Sequence, residues 1–118
     1  MISGIGIDIC GIGRIRKIAA RQERFPERVL TSRELAVYDK LPEKRKAEFL
    51  AGRFAAKEAF AKAVGTGIGE ELSFQDIEIE KDEQGKPFIS KPNKKGVHLS
   101  ISHSREYAVA QIVIERAI

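Results

Sequence analysis

The sequence predicts an α+β domain in which one strand comes first, three helices follow, and four strands complete the chain. Three patterns carry that expectation. Ile5, Ile7 and Ile9 alternate with Gly4, Gly6 and Asp8, so apolar residues fall on one strand face and small or acidic ones on the other. Glu43 to Val64 is rich in Ala, Lys and Glu, residues helices favour. Ile77 and Ile79, then Val97, Leu99 and Ile101, return to a period of two.

After the first strand, Gly11 and Gly13 punctuate the chain. A basic helix is expected from roughly Ile12 to Arg24, with Pro26 ending it. Thr31 and Glu34 have capping-box spacing and start a short second helix to about Leu41. Pro42 suits the first turn of the third, which ends at Gly65. Ser73 to Glu80 reads as a strand, Gln84-Gly85 as a turn, and Lys86 to Ser90 as a short return strand with Pro87 at its start. Lys91 to Gly96 is a polar loop. Val97 to His103 and Tyr107 to Glu115 are the last two strands, joined by a turn at Ser104 to Glu106.

The chain has 118 residues, one domain of ordinary size spanning 1–118. With 42% hydrophobic and 32% charged residues, the composition is globular and excludes a fibrous or disordered chain. The single cysteine, Cys10, cannot close an intrachain disulfide, which fits a reducing compartment. No uninterrupted apolar run reaches the roughly 18–20 residues of a membrane span. The N-terminal apolar stretch lacks a basic leader and is broken by Asp8, unlike a signal peptide. A cytoplasmic protein is therefore expected. Lys and Arg number 21 against 17 Asp and Glu, a net +4 that admits nucleic acid, a phosphorylated ligand or an acidic protein as partner.

Five groups of residues are candidates for chemistry. Asp8 follows two glycines on its strand face, which leaves its carboxylate uncrowded; the competing role is an acid that ends a strand. Glu58 and Lys62 lie four apart on the long helix, in the favourable order for an ion pair, among Ala55, Ala59 and Ala61. Asp8 and Glu58 together form the kind of two-carboxylate set that Mg²⁺ accepts while keeping water and phosphate oxygens for the rest of its shell. His103 ends a strand before a turn, where ligands commonly sit, although a structural histidine is the commoner case. His98, on the opposite strand face, is read as structural.

Arg45, Phe49 and Arg53 are spaced by four and form a stripe roughly opposite Glu58 and Lys62 at about 100° per residue. One short ligand could hardly bridge both faces within a monomer; an oligomer could lend one face to the site of its neighbour. Arg14, Lys17, Arg21 and Arg24 fall within about 80° on a helical wheel. Between Gly11 and Arg28 there are six basic residues and two acids, which favours a surface for something anionic. The glycines at 65, 67 and 69 follow a helix instead of joining a strand to one, so a C-cap and turn is preferred to a nucleotide loop.

Three segments share one resemblance. Gly4-Ile5-Gly6-Ile7-Asp8, Phe54-Ala55-Ala56-Lys57-Glu58-Ala59 with Lys62, and Ser100-Ile101-Ser102-His103-Ser104 are similar to the three signature blocks of the 4′-phosphopantetheinyl transferases. Their order and spacing resemble the short, trimeric carrier-protein synthase group over essentially the whole chain. The resemblance implies an α+β fold with antiparallel strands and sites between subunits. It implies that Asp8 and Glu58 bind Mg²⁺, with the coenzyme A pyrophosphate and water completing the octahedron. Lys62 would contact phosphate and offset charge on the departing 3′,5′-ADP. The serine of an apo-acyl carrier protein would attack the β-phosphate, so coenzyme A is a substrate, and the product carrier serves fatty acid biosynthesis.

Arg45, Phe49 and Arg53 would hold the adenine and 3′-phosphate from a neighbouring subunit, with His103 near the same end. Gly65, Thr66, Gly85, Lys86 and Pro87 would add backbone and edge contacts. Arg14, Arg21, Arg24 and Arg28 would dock the acidic helix of the carrier. Neither nucleic acid nor a membrane is an expected partner. Phe54 stands where the family often has Trp, and Gln84 where it often has Asn beside Gly85. The general base is open between Glu58, a metal-bound water and another carboxylate. Two other readings stand beside the transferase. A basic nucleic-acid-binding module has no use for paired carboxylates facing its ligand, and a structural subunit of a larger assembly predicts no Mg²⁺ dependence.

Overall fold

The structure, a computed structural model, describes residues 1–116; the last two residues of the expected domain lie outside that range. Strand β1 (Ile2–Gly11) leads into α1 (Ile12–Arg21), α2 (Phe25–Val29), α3 (Ser32–Lys40) and α4 (Glu43–Val64). A 3₁₀ turn at Phe74–Asp76 precedes β2 (Glu78–Lys81), β3 (Pro87–Lys91), β4 (Val97–His103) and β5 (Tyr107–Glu115). The strands form an antiparallel sheet of order β1-β5-β4 and a separate β2-β3 hairpin. This is the expected α+β order, with two corrections to its elements.

The first concerns Pro26. It does not end a helix running to Arg24; α1 stops at Arg21, and Pro26 sits in the first turn of α2, where its missing N–H costs nothing. Among the described residues the α-helices therefore number four. The second concerns Ser73 to Asp76, expected as strand. These residues form a capped turn in which Asp76 accepts hydrogen bonds from the backbone N–H and the hydroxyl of Ser73. Such side-chain acceptors offer the backbone an alternative to a ladder.

The other boundaries follow local chemistry. Thr31 and Glu34 form the capping box: the Glu34 N–H donates to Thr31 Oγ1, and the Thr31 N–H donates to Glu34 Oε1 at 2.8 Å. Gly65 closes α4 with φ +102°, a left-handed conformation that glycine adopts without a Cβ penalty. The glycine-rich stretch after α4 is thus a C-cap and turn, not a phosphate loop.

Helix α4 lies across the sheet and is the centre of the core. Leu50, Ala51, Ala55, Ala56 and Ala59 are fully buried, as are Ala108, Ala110 and Ile112 of β5 and Ile77 beside the hairpin. Small residues on both surfaces let helix and sheet approach closely. At β1 the approach is closer still. A Cβ on Gly6 would collide with the carbonyl oxygen of Ala59, and one on Gly4 with that of Ala63. Gly4 and Gly6 therefore face the core, and their role is to admit the backbone of α4, not to clear space for a ligand. Ile5, Ile7 and Ile9 point the other way and are 63%, 58% and 63% exposed.

Candidate active site

Asp8 lies opposite Ala110 of β5 on the core side of β1, close to the last turns of α4. The glycine contacts bring it there, and they bring it to Lys62. Lys62 Nζ donates to Asp8 Oδ1 at 2.9 Å and to the Ile7 carbonyl at 3.0 Å. The lysine thus pairs with Asp8 across the fold instead of with Glu58 along its own helix. Glu58 stands in the same neighbourhood. Partial burial raises its carboxyl above the usual range, the negative charge of Asp8 raises it further, and Lys62 offsets part of the effect. Buried Cys10 senses the same cluster: desolvation and then Asp8 push its thiol up to about 11, Arg14 pulls it back, and Glu58 adds a smaller push.

Among the described residues, no three His, Cys, Asp or Glu side chains gather into a metal cage. Two neighbouring carboxylates, one partly desolvated, remain a donor set suited to Mg²⁺, which takes few protein ligands and leaves places for water and phosphate oxygens. Asp8 and Glu58 would hold it.

The opposite face of α4 borders a groove of about 360 Å³. Arg45, Phe49 and Arg53 line it together with Gly85, Pro87 and His103, so the structure gathers these residues from α4, the β2-β3 hairpin and β4. Arg53 is the anchor. It is only 7% exposed, its guanidinium carbon stands 4.4 Å from the centre of the Phe49 ring, and its Nε has no hydrogen-bond partner. Burial lowers the guanidinium's pKa, and Glu34 counteracts this. A cation stacked on an aromatic ring suits a flat or phosphorylated ligand. His103 Nε2 lies 3.2 Å from Glu48 Oε1 at the rim. Ile101 of the third signature segment also lines the groove, as do Glu48, Lys81, Leu41 and Gly52, which carried no functional signal in the sequence.

The remaining candidates lie elsewhere. Gly65 and Thr66 line a separate open cleft beyond α4, together with Glu70 and Glu71. Lys86 is not among the residues lining the groove; its N–H donates to Asp82 Oδ1 in the hairpin turn. Gln84 makes the same backbone contact to Asp82. Arg14 and Arg21 border a shallow depression on exposed α1 with Lys17. Arg24 precedes α2 and so leaves the α1 stripe to which the helical wheel assigned it. Arg28 is exposed on α2 and donates to Gln22 Oε1 at 3.4 Å. His98 pairs with Glu115 at 2.6 Å on the surface.

One cluster went unread in the sequence. Lys57, inside the motif that carries Glu58, is fully buried. Its ammonium donates to Glu34 Oε1 at 2.6 Å, to the Val29 carbonyl at 2.7 Å and to the Phe74 carbonyl at 3.0 Å. Glu34 also accepts from the Ile79 N–H at 2.8 Å, and Thr31 Oγ1 donates to buried Glu78 at 2.6 Å. Glu78 falls between Ile77 and Ile79, and that alternation places it on the polar strand face, yet it is buried. The available signal was the composition of α4: Lys57 sits among Ala55, Ala56, Ala59 and Ala61, the small residues of the face that packs into the core.

Two charged and polar surfaces on opposite sides of one buried helix define a small α+β protein with a carboxylate centre and a cationic, aromatic groove. Comparison with known proteins supplies the family. The model of the 4′-phosphopantetheinyl transferase superfamily matches residues 4–112. Holo-[acyl-carrier-protein] synthase of Geobacillus kaustophilus is 66% identical over 117 residues, 98% of this chain and 91% of that protein. The enzyme of the same name from Bacillus subtilis is 64% identical over 118 residues, 98% of each chain. Among solved structures, a holo-(acyl-carrier-protein) synthase from Bacillus anthracis in complex with CoA (3′,5′-ADP) superposes with a TM-score of 0.90 at 54% identity, covering 99% of both chains. The chain belongs to the 4′-phosphopantetheinyl transferase superfamily, as an enzyme of its holo-[acyl-carrier-protein] synthase group. No helix of the described residues is long and apolar enough to cross a membrane.

Proposed function

We propose that this chain, as one transferase domain, moves 4′-phosphopantetheine from coenzyme A to a serine hydroxyl of an apo-acyl carrier protein and releases 3′,5′-ADP. The meeting of Asp8, Glu58 and Lys62 is the observation that carries the reading, because a carboxylate pair with an adjacent ammonium is what a pyrophosphate and its metal require. Bound Mg²⁺ supplies charge neutralisation on the pyrophosphate oxygens. Asp8 and Glu58 orient the ligand from the protein side. Lys62, within reach of Asp8 Oδ1, stands ready to meet phosphate oxygen as charge moves to the leaving group. In the transfer the serine Oγ–phosphorus bond forms, the bond from phosphorus to 3′,5′-ADP breaks, and the serine proton passes to a base.

The nucleotide end of coenzyme A belongs, in this reading, to the groove of Arg45, Phe49, Arg53 and His103, with Gly85, Lys86 and Pro87 at its edge and Gly65 and Thr66 nearer the pyrophosphate. Phe49 and Glu58 are nine residues apart on α4, about 180° around the helix, so one coenzyme A molecule meets both only when two subunits share a site. The exposed Ile5, Ile7 and Ile9 stripe on edge strand β1 supports such an assembly, since an apolar row on a free sheet edge invites burial. The proposed enzyme is a cytoplasmic homotrimer that activates carriers for fatty acid biosynthesis. Arg14, Arg21, Arg24 and Arg28 are the proposed docking residues for the acidic carrier.

The test is to incubate the protein with apo-acyl carrier protein, coenzyme A and Mg²⁺, with an EDTA control, and to weigh the carrier. A gain of one phosphopantetheine that EDTA prevents is expected. No gain with several apo-carriers would overturn the reading. Sedimentation equilibrium of the same sample checks for three copies.

A further inference from the structure

Helix α2 is five residues long, too short to hold its own orientation, and it is flanked by two of the proposed docking arginines, Arg24 at its start and Arg28 within it. Its apolar side is seated on an aromatic row: Phe25 lies 6.2 Å from Phe54, and Phe54 lies 5.3 Å from Phe74, ring centre to ring centre. Its open C-terminal end has carbonyls that no helix turn can satisfy. Gln75, which follows Phe74 in the 3₁₀ turn, fills that place. Its side-chain Nε2 lies 2.7 Å from the Glu27 carbonyl, 2.8 Å from that of Leu30 and 3.4 Å from that of Arg28. Buried Lys57 takes the Val29 carbonyl between them. The last turn of α2 is thus held from outside by an amide from a segment about 45 residues downstream.

We propose that Gln75 is a positioning residue for carrier recognition: by capping the last carbonyls of α2 it sets the direction in which Arg24 and Arg28 face an acidic partner. The inference rests on the transferase reading and on the docking role of those arginines. Gln75 is not among the residues lining the groove, its side-chain hydrogen bonds go to neither Asp8 nor Glu58, and the residue is exposed, so its removal spares the core. The end it holds carries Arg28, and Arg24 stands one short helix away at the other end; the glutamine does not reach the partner through its own charge.

The test uses full-length protein with the Gln75→Met variant, which keeps length and loses both donors. Transfer is measured against apo-acyl carrier protein and, separately, against coenzyme A. The expected result is a rise of about fivefold in KM for the carrier, the scale of a misplaced polar contact, with KM for coenzyme A and kcat unchanged. In an Arg24→Ala, Arg28→Ala background the same substitution is expected to have almost no further effect, because residues acting through one another are not additive. Equal rises in both KM values, or full additivity in that background, would overturn the inference. Gln75→Glu, which turns an acceptor toward the carbonyls, is expected to give the larger rise, and a smaller one than Gln75→Met would count against it. Absence of transfer by the unsubstituted protein defeats the functional reading itself and is seen before any variant is made.

Discussion

Gly6 of β1 lies so close to Ala59 of α4 that the added methyl of an alanine would overlap the Ala59 carbonyl oxygen. That contact is a distance setting. It fixes how near the strand bearing Asp8 comes to the helix bearing Glu58 and Lys62. Gly6→Ala is expected to cost at least about 1–3 kcal/mol, the usual range for overpacking, and to lower transfer more than stability alone requires. Urea unfolding and the transfer assay, run together, check both parts. Unchanged stability would show that strand and helix can separate freely, and the proposed setting of the site would fail.

Asp8→Asn and Glu58→Gln keep shape and remove one negative charge each. Either is expected to reduce transfer by more than about a hundredfold, the size seen when a positioned electrostatic group is lost, with the thermal midpoint little changed. Transfer at the unsubstituted rate under limiting Mg²⁺ would sink the metal assignment.

Lys57→Met leaves the Glu34 carboxylate buried without its cation and frees the carbonyls of Val29 and Phe74. Breaking a buried pair from one side costs about 3–5 kcal/mol. The double variant with Glu34→Gln is expected to lose less than the sum of the two single losses, because the partners no longer leave each other unpaired. Denaturant midpoints of the four proteins of this cycle are the measurement, and simple additivity is the contrary result.

Charge reversal at Arg14 and Arg21 is expected to raise KM for the carrier protein and leave KM for coenzyme A in place, since both side chains are exposed on α1, away from the groove. The effect should shrink as salt rises, because exposed charges are screened beyond about 8–10 Å at ordinary ionic strength. A matching rise in both constants would remove these arginines from the docking surface.

Burial raises the Tyr38 phenol above its ordinary value of 10.0, and the charges of Glu43 and Asp39 add to the shift. The folded protein therefore keeps a proton that the unfolded chain gives up as pH passes 10. The stability this group contributes is full below that pH and declines above it. Phenolate absorbance in Tyr38→Phe is expected to lack the late-titrating part seen in the unsubstituted protein. An unaltered titration curve would disprove the shift.

Much of the architecture was legible in the sequence where its causes are local. The capping box at Thr31 and Glu34, the stop at Gly65 and the alternation in β4 and β5 each depend on residues a few positions apart, and each appears where expected. Pro26 and Ser73 misled because each has two local outcomes, helix end or helix start, strand or capped turn; packing against Phe54 and Phe74 chose between them. The three signature segments pointed to the family from the order and spacing of their residues.

Contacts between distant parts of the chain could not be read that way. From the sequence, Lys62 had an equally good partner four residues away, and only the fold placed Asp8 closer to it. Alternation divided β1 into two faces without saying which was inside. Apolar content alone favoured the isoleucines, yet the glycines are turned inward because α4 packs backbone to backbone against them. Lys57 and Glu34 look like surface charges when read singly, and they are buried because α3, α4 and β2 close over both. The sequence by itself determined most of the elements, the caps at Thr31 and Gly65, and the set of reactive side chains. The tertiary structure decided which of those side chains meet, because pairing across a fold depends on how closely two backbones can approach, and here that distance is governed by two missing methyl groups.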